Sequence, residues 1–145
     1  MKKLFLLLIV SIVGMMPILA DNDKIITREE LPEKAQVFLT QHFEGIEILY
    51  AKVEREMGVI MSYDVLLDGE VKVEFNRSGE WTSVDCERNQ VPNGVLPQGV
   101  LDYVTKKFAK SYVVEIERGL LGYDVKLNND LDLDFDKNGK FLRVD

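Results

Sequence analysis

The chain has 145 residues, 46% hydrophobic and 30% charged, with 25 acidic residues against 18 basic ones, one Cys and one His. That apolar fraction excludes a disordered chain, the single Cys excludes a disulfide-stapled scaffold, and one Cys with one His excludes a His- or Cys-rich metal centre. A net charge of −7 excludes a protein built to hold a phosphate backbone.

The N-terminus begins with Lys2 and Lys3, runs apolar over Leu4–Val13, loosens at Gly14 and Pro17, and reaches Ala20 before the polar Asp21. This layout predicts a signal peptide over residues 1–20, cleaved after Ala20, and hence a periplasmic or secreted protein with no membrane span after cleavage. The run is short for a span, although Ile18 at the −3 position fits a cleavage site poorly. Loss of the segment removes two Lys and no acid, which leaves 16 basic against 25 acidic residues and a net charge of −9.

After it, Leu31-Pro32 opens a predicted helix in which Ala35, Phe38, Leu39 and Phe43 form one apolar stripe. Pro32 suits the first helical position, where its missing N–H costs nothing. Thr27 and Glu30 also spell a capping box, but a helix starting there would enclose Pro32. His42, near the helix end, reads as a solvated residue favoured by the macrodipole.

Period-two alternation follows, as in Val71, Val73 and Phe75 interleaved with Lys72 and Glu74. Turn dipeptides at Met57-Gly58, Asp68-Gly69 and Ser78-Gly79 divide the region into four strands. Cys86 reads as a buried small hydrophobe, with a reactive thiol or an intermolecular disulfide as the other reading. Arg88–Gly94 has the composition of a linker, placed at about 88–95.

Leu96-Pro97 then opens a second helix, with Val100, Tyr103, Val104 and Phe108 as its stripe. Tyr123-Asp124-Val125 repeats Tyr63-Asp64-Val65, and Leu131, Leu133, Phe135, Gly139 and Phe141 repeat Val71, Val73, Phe75, Gly79 and Trp81. The expected architecture is therefore α+β, one domain over 21–145 made of two tandem repeats at about 31–87 and 96–145. Each repeat is one helix plus a four-stranded antiparallel meander, with the helices packed on one face. Leu49, Ala51 and Val53, and Tyr112, Val114 and Ile116, are expected to face the helices.

The opposite face is expected to be open, solvated and mainly acidic. The residues assigned to binding there are Tyr50, Lys52, Asp64, Lys72, Glu74, Asp124, Lys126, Asp132 and Asp134, with Glu54, Glu115 and Glu117 beside them. The leading expectation is a non-enzymatic binding module for a protein or peptide. No Ser or Cys lies in a glycine-rich elbow, there is no phosphate cradle, and the carboxylates are too solvated for acid–base work. The alternative is a divalent-cation or small-ligand binder using Asp130–Asp136. Within it, Asp134, Asp136, Asn138 and Asp145 fit the opening and twelfth place of a calcium loop, but strand-like flanks favour a hairpin turn there. No cofactor is expected.

The paired Leu-Pro openers, the Tyr-Asp-Val strands, the Asp68-Gly69 turn, Phe75–Trp81 and its counterpart Phe135–Phe141 resemble the beta-lactamase-inhibitor-like, PepSY-like family of exported bacterial proteins. The resemblance covers about residues 31–145, and its motifs mark helix starts, core strands and hairpins. It implies tandem helix-plus-four-strand repeats in the periplasm and a non-enzymatic role, such as inhibition or regulation of a peptidase or related enzyme. The inhibitors behind the name staple their repeats with disulfides, which Cys86 alone cannot do.

Overall fold

The computed structural model describes residues 23–145. The predicted signal peptide, 1–20, lies outside them. Among the described residues no helix is long and apolar enough to cross a membrane.

Among the described residues nine strands form one antiparallel sheet: β1 (Lys24–Ile26), β2 (Ile48–Glu56), β3 (Val59–Leu67), β4 (Val71–Asn76), β5 (Trp81–Asp85), β6 (Val113–Arg118), β7 (Gly122–Leu127), β8 (Asp132–Asp136) and β9 (Phe141–Val144). Their order in the sheet is their order in the chain. Two ten-residue helices, α1 (Glu33–His42) and α2 (Gln98–Lys107), complete the fold. This corrects the expected two tandem units, each a helix with its own four-stranded meander. β5 hydrogen-bonds to β6 through Ser83↔Glu117, Val84↔Ile116 and Asp85↔Glu115, so the sheet has no boundary. A further strand, β1, which the alternation pattern did not include, pairs with β2 through Ile25↔Lys52.

Each helix begins one residue after its proline, so that Pro32 and Pro97, at φ −53 and −54, are the N-cap residues and not the expected first helical residues. The Thr27–Glu30 box serves a separate 3-10 turn, in which the Glu30 carboxylate accepts the Thr27 N–H at 2.7 Å. The first helix is thus spared an internal proline, and the box still satisfies a backbone donor.

Ala35, Leu39, Val100 and Val104 are buried against the inner face of the sheet, among Val53, Val65, Val73, Phe75, Val84, Ile116, Val125, Leu133 and Phe135. Phe38 meets Phe75 edge-on at 5.6 Å, and Tyr103 meets Phe135 edge-on at 5.7 Å while stacking on Phe141 at 4.1 Å. Full burial of Phe75 and of Phe135 stabilises the fold by about 1.5–3 kcal/mol each.

Three local expectations change. Bulges between Ile48 and Tyr50, and between Val113 and Glu115, put Ile48 and Val113 on the inner face in place of Leu49 and Val114. A bulge adds one residue to one strand and resets the alternation; Leu49 is left 53% exposed, whereas Val114 stays buried at 4%. The linker is not a solvated connection: Val91 is fully buried and donates its N–H to Val113 O at 2.8 Å, with Val95 and Leu96 buried beside it. His42 is half-buried, with its ring 4.7 Å from that of Phe38 and against Gly94, and burial lowers its pKa.

Candidate functional site

Because the sheet is continuous, side chains of one parity line up across it. Pairing runs Lys52↔Asp64↔Glu74↔Ser83↔Glu117↔Asp124↔Asp134↔Arg143, a row crossing β2 to β9 on the face away from the helices. Five of its eight positions are carboxylates, and the two cations stand at its ends. The neighbouring row, Lys72↔Asp85↔Glu115↔Lys126↔Asp132, mixes signs and is close to neutral. Strands about 4.8 Å apart bring like charges close enough to repel.

At the β2 end, Lys52 Nζ lies 3.3 Å from Asp23, 3.3 Å from Glu54 and 3.7 Å from Asp64. These carboxylates raise the Lys52 pKa, the hydrogen bond to Asp23 contributing most. Ser62 Oγ donates to Glu54 at 2.9 Å. Glu54 is held below its ordinary value by hydrogen bonding to Asp64, then by Ser62 and Lys52. Asp64 is pushed up to about 6 by burial and then by Glu54 and Glu74. Glu74 keeps its outer surface in water, yet desolvation by its neighbours and the charges of Glu54 and Glu117 raise it.

At the β9 end, Arg143 pairs with Asp134 at 2.7 Å, and Asp134 is 8% exposed. Asp124 is pushed up to about 6, first by its hydrogen bond with Asp134, then by burial and the charges of Asp134, Glu117 and Asp145. In the second row, burial and then Asp85 and Glu117 raise Glu115.

All nine residues assigned to binding from the sequence lie on this face. Tyr50, Lys52, Asp64, Lys72 and Glu74 line a shallow depression of about 250 Å³, which Ser83 and Asp85 complete. Asp124, Lys126 and Asp132 line another of about 190 Å³ with Glu115 and Glu117. Arg143 was missed, because only the pairing of β8 with β9 shows that it closes the row.

The suggested calcium-loop residues do not converge. The Asp136 carboxylate accepts the backbone N–H groups of Asn138 and Lys140, both at 2.9 Å, as Asn76 Oδ1 does for Ser78 and Glu80. Asp136 is therefore a turn residue. Asp134 is engaged with Arg143, and among the described residues no three His, Cys, Asp or Glu side chains are grouped as a metal ion would need. Cys86 is 1% exposed, and burial followed by the charge of Asp85 pushes its thiol up to about 11.

A sheet with helices on one face and an open charged face on the other defines the class of protein. Residues 61–143 match the family described as putative beta-lactamase-inhibitor-like, PepSY-like, and the chain belongs to that family. It is similar to a structure described as a putative calcium-regulated periplasmic protein from Bacteroides thetaiotaomicron, with a TM-score of 0.80 and 36% identity over 85% of this chain and 96% of that one. It is also similar to a putative periplasmic protein of the DUF2874 family from Bacteroides vulgatus, with a TM-score of 0.80 and 35% identity over 87% and 98% of the two chains. A third, described as a putative periplasmic protein of unknown function from the same species, has a TM-score of 0.78 and 34% identity over 85% and 98%. No curated protein matches the chain. The protein is periplasmic, as these relatives are described.

Proposed function

We propose that the protein is a non-enzymatic binding module of the periplasm that engages a cationic protein or peptide segment across its open sheet face. The observation that carries this reading is the uninterrupted row from β2 to β9, with five carboxylates between two terminal cations. From Asp64 to Asp134 the row crosses five strand spacings, about 24 Å, the length of an extended segment of about seven residues. Lys or Arg at alternate positions of such a segment stand about 6.8 Å apart, wider than the strand spacing, so each long cationic side chain would lie among neighbouring carboxylates and relieve their mutual repulsion. The family description as inhibitor-like supports a protein partner, such as a peptidase or related enzyme that the module regulates.

Calorimetry with an alternating Lys/Ala heptapeptide and its Glu/Ala counterpart tests this. The basic peptide should bind with an affinity that falls steeply with added salt, and the acidic one should not bind. Reversal of Asp64, Asp124 and Asp132 to Lys should abolish binding. Equal affinity before and after that reversal would remove the open face from the interaction.

Cation binding is a second reading, favoured by one relative's description as calcium-regulated. On this chain the ion would have to sit on a two-carboxylate pair such as Asp124–Asp134 and compete with Arg143. A rise in melting temperature with millimolar calcium that Asp124→Asn abolishes is the result expected of it, and no rise removes it.

A further inference from the structure

The helix side of the sheet has a cleft that the open-face reading does not use. Nine strands at about 4.8 Å spacing span more width than two helices of about 10 Å diameter can cover. Phe38 of α1 sits over Phe75 and Trp81, and Tyr103 of α2 sits over Phe135 and Phe141, which leaves the inner face of β6 and β7 between them. The buried segment carrying Val91 and Val95 fills part of that gap. What remains is a cleft of about 500 Å³ beside α1, walled by Lys34, Val37 and Phe38, with Trp81 and Arg118 opposite.

Arg118 is the unusual member. Alternation from the buried Ile116 puts it on the apolar face, where it is half-buried with its guanidinium carbon 4.7 Å from the Trp81 ring centroid. Among the described residues no carboxylate stands at ion-pair distance from it. Trp81 in turn lies 6.4 Å from Tyr123, so the guanidinium belongs to an aromatic shelf. Glu33 and Glu80 also line the cleft, but both are exposed, as is Lys34, which leaves the half-buried Arg118 as the least solvated charge of its lining. A guanidinium held over an indole leaves N–H groups free for a planar oxyanion, which is how Arg recognises carboxylates.

We propose that this cleft binds a small ligand bearing a carboxylate on an apolar or aromatic body, with the carboxylate at Arg118 and the body between Trp81, Phe38 and Val37. The charge complementarity is local and opposite in sign to that of the acidic face, so the two sites take different partners.

Trp81 is the chain's single Trp, so intrinsic fluorescence reports on the cleft directly. The purified protein is titrated with 3-phenylpropionate and, in parallel, with the uncharged 3-phenylpropionamide. The expected result is a saturable change in emission with the carboxylate at an affinity about tenfold tighter than for the amide, the worth of one charge-assisted hydrogen bond. Arg118→Gln should erase that difference, and Arg118→Lys should retain part of it. Val37→Glu, at a helix position 47% exposed and therefore safe for folding, should abolish carboxylate binding by placing a like charge in the wall. No saturable change at millimolar carboxylate overturns the proposal, as does equal affinity for acid and amide, or binding indifferent to both Arg118→Gln and Val37→Glu. Reversal of Asp64, Asp124 and Asp132 to Lys should leave the titration unchanged, which keeps its outcome separate from that of the open face.

Discussion

Lys52 on β2 and Arg143 on β9 close the two ends of one cross-strand row, and each neutralises a carboxylate that its neighbours would otherwise repel. Arg143 has the less solvated partner, since the Asp134 side chain is 12% exposed against 29% for Asp64. Arg143→Gln should therefore destabilise the protein by about 1 kcal/mol, a figure kept small because Arg143 is itself exposed. Adding Asp134→Asn should recover most of that loss. A double-mutant cycle by urea denaturation measures the coupling, and strictly additive losses would show that the pair is idle.

The raised carboxyls set a pH dependence of definite sign. Asp64 and Asp124 titrate near 6 in the folded state, above the value of about 3.9 for an unfolded Asp. The folded state therefore holds these protons more tightly, and their stabilising contribution is full below about pH 4 and lost as pH rises through about 6. Glu54, whose pKa is lowered, acts in the opposite direction, and its contribution is lost at more acid pH. The melting temperature should be higher at pH 5 than at pH 7.5, by about 4 °C for about 1 kcal/mol. Asp64→Asn with Asp124→Asn should flatten that slope and raise stability at pH 7.5. A melting temperature that instead climbs from pH 5 to 7.5 contradicts the assignment.

Gly99, on the first turn of α2, lies against the β8–β9 turn, and a Cβ there would sit 2.3 Å from Gly139 O. Neither backbone can yield without moving the helix or the hairpin. Gly99→Ala should cost about 2 kcal/mol, whereas Gly119→Ala, whose nearest neighbour would be 3.9 Å away, should cost little. Thermal denaturation of the two variants makes the comparison, and equal stability would mean that α2 shifts freely over the sheet.

Cys86 should be inert in the folded protein. Its burial and raised pKa leave almost no accessible thiolate at pH 8. A thiol-specific reagent should label it only in denaturant, at a rate that follows unfolding. Rapid labelling of the native protein would revive the reactive-thiol reading.

The elements were legible in the sequence where the signal is local. Pro32 and Pro97 mark the helix starts, and the Asp- and Asn-Gly turns mark the hairpins, because each fixes its own backbone. What joins the strands was not legible. Ser83 and Glu117 face each other across β5 and β6 with a helix and a buried connection between them in the chain, and no local periodicity encodes that pairing. The bulges at Leu49 and Val114 were hidden for the same reason, since an inserted residue looks like any other until its partner strand is known. Val91 read as part of a polar linker because its neighbours Arg88–Gln90 are exposed, while its own burial depends on docking against Val113. At the sites, alternation placed the acidic residues on their face, but their alignment into one row needs the register. Arg118 did leave a signal, as a charged residue at the parity of Ile116, where an apolar side chain belongs.

Strand order that matches chain order has a consequence for how the molecule is assembled. Each strand from β2 to β9 adds to the free edge left by its predecessor, so no strand has to insert between two already paired. A chain delivered through a membrane N-terminus first can therefore build its sheet as it emerges, rung by rung, without waiting for its last residues. Its only growing edge moves with the point of entry, which shortens the time that any unpaired strand stands open to a neighbouring molecule.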